Sequence, residues 1–115
     1  MNEVDGAKKP ALDVVGMDDA TTNFAAMLFV ALAHPTRLKI VEILTDQSRS
    51  VSEVADEIGI LPNSASQHMG ILNRAGVAKS VQEGSVIRYT LRGPRIAQIM
   101  RLVDEFRSLH SSDLL

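Results

Sequence analysis

The sequence contains no cysteine, and that absence removes disulfide bonds, thiolate metal sites, thiol redox sensing and a cysteine nucleophile together. Aromatic residues make up only 3% of the chain against 45% for hydrophobic residues as a whole. A core therefore has to be built from Leu, Ile, Val, Ala and Met, which favours helices packed on helices. The apolar residues nowhere run on for the roughly 18 positions a membrane span needs, and no apolar run with a cleavage site follows Lys8 and Lys9. A soluble cytoplasmic protein without membrane contact is expected. Also missing are a phosphate-cradling Gly loop, a metalloprotease helix motif and a dinucleotide fingerprint. Ser66 and His68 stand two apart on a helix and point different ways, so no catalytic residue, enzyme activity or cofactor is expected.

What charge there is lies unevenly. The net charge is −2, but residues 1–59 carry 5 basic and 10 acidic groups whereas residues 60–101 carry 6 basic and 1 acidic. A local positive potential in the middle of the chain is what a polyanionic partner would meet, whatever the total.

At 115 residues the chain fits one domain. Residues 1–17 lack sustained periodicity and read as a mobile arm, residues 18–109 as the folded domain, and 110–115 as a polar tail. Asp18, Asp19, Thr21 and Thr22 offer N-caps for a first helix carrying Phe24, Met27, Leu28 and Ala31. Pro35 suits the first turn of a second helix, with Leu38, Ile40, Val41 and Leu44 as its buried stripe and His34 as a packing or capping residue. Ser52 can cap a short third helix that buries Val54, Ala55 and Ile58 and stops at Gly59. Pro62 opens a fourth, in which Ala65, Met69 and Leu72 recur at i, i+4 and i+7 and Gly76 ends the pattern. Leu61 stands where a polar cap is usual. Val77–Val81 and Val86–Leu91 then read as strands joined around Glu83-Gly84-Ser85, and a last amphipathic helix follows Gly93-Pro94.

A short helix packed across a second one can hold the latter's N-terminal half in a DNA major groove, and a hairpin beside it can meet the backbone. The fold class expected is thus mainly α with a β-hairpin wing, a winged helix-turn-helix in the order four helices, two strands, one helix. Asn63, Ser64 and Gln67 are the candidates for reading base edges in a double-stranded operator. Ser66, Arg74, Lys79 and Arg88 are the candidates for holding the backbone, and His68 for a structural or phosphate contact. Phe24, Met27, Leu28, Ile99, Val103 and Phe106 supply more apolar surface than one small domain can cover, so a homodimer is expected.

The run Leu32-Ala33-His34-Pro35-Thr36-Arg37-Leu38-Lys39-Ile40, then Ser66-Gln67-His68-Met69 and Leu72-Asn73-Arg74-Ala75-Gly76-Val77, then Glu83-Gly84 and Tyr89, resembles the ArsR/SmtB winged-helix repressors over roughly residues 24–109. The resemblance implies a repressor that binds a palindromic operator as a homodimer joined through its first and last helices. It does not carry over the metal sites. The Cys-x-Cys positions of many members fall on Ser50 and Ser52, and the last-helix positions of others on Gly93, Arg95, Glu105 and Leu109. None of these makes a ligand set for a soft or borderline ion, so no metal site is expected and the inducer stays unnamed. Two alternatives remain open: a metal-responsive repressor using His110 with Asp104 or Glu105, and a protein-interaction module that retains the fold.

Overall fold

The computed structural model describes residues 16–114, so the expected N-terminal arm lies, except for Gly16 and Met17, outside the described residues. The chain divides into two compact units, Met1–Val30 and Ala31–Leu115. In the first, α1 (Asp19–Leu32) begins where the Thr21 N–H donates to Asp18 Oδ1 at 2.8 Å. Asp18 is thus the cap among the four candidates. Phe24 and Met27 stand exposed on this helix and Leu28 is half-buried.

In the second unit α2 (Pro35–Asp46) starts at Pro35, whose missing N–H costs nothing in a first turn. His34 caps it, its Nδ1 accepting from the Thr36 N–H at 3.1 Å. A strand, β1 (Arg49–Ser50), precedes α3 (Val51–Ile58), and α4 (Pro62–Arg74) leads into the hairpin of β2 (Ala78–Glu83) and β3 (Val86–Leu91). The last helix is α5 (Arg95–Leu114). The sheet is antiparallel in the order β1-β3-β2, and Glu83 pairs with Val86 across a two-residue turn in which Gly84 takes φ 65°. A side chain is strained at that φ and Gly is not.

The core is wholly apolar. Ile40 and Val41 of α2, Val54 of α3, and Ala65, Met69 and Leu72 of α4 are each 0% exposed, and no polar or charged residue is buried among the described residues. Each helix of the helix-turn-helix therefore buries one stripe in the same apolar layer, and that layer holds α3 across α4.

Three expectations need correction. The cap of α3 is Ser50 rather than Ser52, because only Ser50 has a glutamate three residues on. Glu53 N–H donates to Ser50 Oγ at 3.2 Å while Ser50 N–H donates to Glu53 Oε1 at 2.9 Å, a closed capping box. The strand β1 was not foreseen, since two residues carry no periodicity to read. Finally, α5 continues to Leu114 where a polar tail was expected to start at His110. No Gly or Pro follows Pro94, and nothing in that segment supplies a stop.

Candidate nucleic-acid interface

At about 100° per residue, Asn63, Gln67 and Arg74 fall within about 40° of one line along α4, and Ala65, Met69 and Leu72 fall on the opposite side. Burial follows that geometry. The second set is fully buried, whereas Asn63, Ser66, Gln67 and Arg74 are exposed and Ser64 is half-buried at the flank. Packing the apolar stripe against the rest of the unit thus turns a row of amide, hydroxyl and guanidinium groups outward. The row can donate and accept at base edges and phosphates.

The start of the row is unusual. Leu61 is the N-cap of α4, makes no side-chain capping bond and is 73% exposed, so the first N–H groups of α4 have no side-chain acceptor from that position. Arg74 folds back over Gly70, with Nη1 3.3 Å from where a Cβ on Gly70 would sit. A glycine inside a helix costs about 1 kcal/mol relative to alanine, and here it leaves room for that guanidinium.

His68 goes elsewhere. It lies about 40° from Leu72 around the helix, which carries its ring towards the packed side. The ring meets His34 at a centroid distance of 4.5 Å and Arg37 Nη1 lies 3.3 Å from its Nδ1. Because a guanidinium can only donate, Nδ1 accepts and the ring proton sits on Nε2. Arg37 also donates to the Ala31 carbonyl through Nε, so it ties the end of α1 to α4 within the second unit. Burial of the ring first, then the charge of His34 and of Arg37, hold His68 below its ordinary pKa of 6.5.

A lowered folded-state value means that the unfolded chain binds this proton more tightly. The contribution of neutral His68 to stability is complete above about pH 6.5 and is lost as the pH falls from there through the folded value. Melting temperatures recorded from about pH 7.5 to 5 should drop on the acid side, and His68→Gln should flatten the drop. An acid slope unchanged by that substitution would show that His68 does not couple to folding.

Of the basic residues of the hairpin, Lys79 and Arg88, the two candidates for holding the backbone, differ sharply. Lys79 on β2 is exposed, and its ammonium makes no ion pair or hydrogen bond among the described residues. Arg88 on β3 is only 26% exposed at its side chain and donates to Ser48 and Glu53. Beside it Arg49, which sequence reasoning missed, bonds Glu57 and the Gln47 carbonyl. The signal available in the sequence was the pair Glu53 and Glu57, spaced i, i+4 on the outer face of α3. Arg92 is exposed where β3 ends, its Nε 4.0 Å from where a Cβ on Gly76 would sit.

On α5, Leu102, Val103, Phe106 and Leu109 are all more than half exposed, and Ile99 is half-buried. His110 stacks on Phe106 at 6.0 Å. No group of three or more His, Asp and Glu that could hold a metal ion occurs among the described residues. No single described helix is long and apolar enough to cross a membrane.

Comparison with known proteins agrees with this geometry. A helix-turn-helix domain family matches residues 32–81. The HTH-type transcriptional regulator Rv0081 of Mycobacterium tuberculosis is 37% identical over 76 residues, which are 65% of this chain and 67% of that protein. Its crystal structure superposes with a TM-score of 0.73 at 31% identity, covering 84% of this chain and 97% of that one. The biofilm growth-associated repressor of Xylella fastidiosa is 30% identical over 100 residues, 87% of each chain. The solution structure of the homodimeric winged helix-turn-helix DNA-binding domain of Mb0332 from Mycobacterium bovis, a possible ArsR-family regulator, gives a TM-score of 0.74 at 27% identity, covering 85% of this chain and 94% of that one. With the stripe of α4, the hairpin and the helix order all in agreement, the chain belongs to the ArsR family of winged helix-turn-helix transcriptional regulators.

Proposed function

We propose that the protein is a cytoplasmic repressor that binds a two-fold operator as a homodimer, with α4 in the major groove and the β2–β3 wing on the backbone. The observation that carries this reading is the outward row on α4, polar along its length and backed by fully buried Ala65, Met69 and Leu72. Asn63, Ser64 and Gln67 read bases, while Ser66, Arg74 and Lys79 hold phosphates. An amide can pair two-pronged with adenine, which discriminates against the wrong base by about 1–3 kcal/mol.

The homodimer rests on the apolar surface of α5, with Val103 54% and Phe106 68% exposed, and on that of α1, with Phe24 59% and Met27 67% exposed. The Mb0332 domain, which shares the fold, is homodimeric. Sedimentation at micromolar concentration should give a dimer, and Phe106→Asp should raise its dissociation constant more than about tenfold. A parent protein that sediments as a monomer with and without DNA would remove the two-fold operator.

Selection of bound duplexes from random DNA tests the function itself. The expected product is an inverted repeat whose half-sites lie about one helical turn, or a multiple of it, apart. Recovery of unenriched sequence would reject it.

A further inference from the structure

Arg88 occupies the middle of β3, opposite Ser50 on one side and Val81 on the other. Its guanidinium is spent inside the protein. Nε donates to Ser48 Oγ at 3.2 Å, and Nη2 donates both to the Ser48 carbonyl at 3.0 Å and to Glu53 Oε1 at 3.0 Å. Glu83 Oε1 lies 3.9 Å from Nε. The Glu53 oxygen is the same atom that accepts the Ser50 N–H in the capping box of α3. One carboxylate oxygen therefore joins the first turn of the short helix to the wing.

The neighbouring Arg49 reinforces this. It donates to the Ser48 carbonyl at 3.2 Å, to the Gln47 carbonyl at 2.9 Å and to Glu57, and lies 3.6 Å from Asp46. Arg49 thus fastens β1 to α3, and β1 in turn pairs with β3, so that the side chain of Arg88 bonds across from the wing to a braced corner. The fork geometry of a guanidinium is what lets Arg88 bridge a carbonyl, a hydroxyl and a carboxylate at once, which a point-charge ammonium does not match.

We propose that Arg88, through Glu53, is a positioning residue that sets the wing's angle to the helix-turn-helix, and that it makes no phosphate contact itself. The inference rests on the reading of the wing as a backbone-contacting element, for which Lys79 serves as the control. Its test turns on sign. Loss of an acidic group near bound DNA strengthens binding by simple electrostatics. Glu53→Gln keeps the capping box, since Gln serves equally at that position, but takes the charge from Arg88's partner. If Arg88 positions the wing, Glu53→Gln weakens operator binding, by about three- to tenfold across two wings.

The experiment measures operator affinity against salt by fluorescence anisotropy for the parent, Glu53→Gln, Arg88→Gln, Arg88→Lys, the Glu53→Gln/Arg88→Gln double variant and Lys79→Ala. Melting curves establish that each is folded. Positioning requires weaker binding in Glu53→Gln and in Arg88→Lys, a salt slope in Arg88→Gln equal to the parent's, and no further loss in the double variant. Lys79→Ala should flatten the slope by about one per half-site. Stronger binding by Glu53→Gln, or a slope in Arg88→Gln flattened as in Lys79→Ala, overturns the proposal while leaving the wing reading intact. An unchanged slope in Lys79→Ala overturns the wing reading and the proposal with it. Should Arg88→Gln melt below the assay temperature, Glu53→Gln and Arg88→Lys decide the matter alone.

Discussion

Leu72→Ala is expected to destabilise the folded state by about 2–5 kcal/mol, the range for removing a fully buried leucine without collapse of the cavity. Leu72 is 0% exposed and shares its face of α4 with Ala65 and Met69, also at 0%. The helix has no side-chain cap at Leu61 and carries Gly70 in its interior, so its own propensity offsets little of the loss. In a domain of this size each kcal/mol lowers the melting temperature by about 4–8 °C. Melts followed by far-UV circular dichroism, at one protein concentration because a dimer would add to the stability, will read the shift. A loss below about 1 kcal/mol is incompatible with the stripe being the core contact of the reading helix.

That stripe was legible in the sequence because its signal is local. Ala65, Met69 and Leu72 repeat with the helix period between Pro62 and Gly76, and everything that places the polar row outward follows from them. Pro35 and Gly84 were legible for the same reason, each marking a backbone constraint at its own position. Capping was read two residues late, at Ser52, because both serines precede the same apolar pattern and only the reciprocal bond from Glu53 separates them. Arg88 was beyond reach. Its partners Ser48 and Glu53 lie 40 and 35 residues away, and a basic residue on a hairpin looks the same whether it faces solvent or bonds back to the protein. His68 could have been separated from Gln67 by angle alone, since about 100° of rotation divides them. Ser50, one of the positions at which the resemblance led us to look for a metal ligand, is accounted for as the helix cap.

The second large effect concerns recognition rather than folding. Gln67→Ala and Asn63→Ala remove exposed side chains, so each should leave stability within about 0.5 kcal/mol of the parent. On the selected operator each should cost about 1–3 kcal/mol, which is about 5- to 150-fold, and on random duplex almost nothing. Contacts to bases carry sequence information and little of the counterion release, so the salt slope of these variants should match the parent's. Lys79→Ala should do the opposite, weakening operator and random duplex together.

The most direct measurement is anisotropy of labelled operator and labelled random duplex with the parent and with Gln67→Ala, at one salt concentration. The expected result is a ratio of operator to random affinity that falls at least about fivefold while random binding stays put. Equal binding of both duplexes by Gln67→Ala and by the parent would contradict the assignment of α4 as the reading helix.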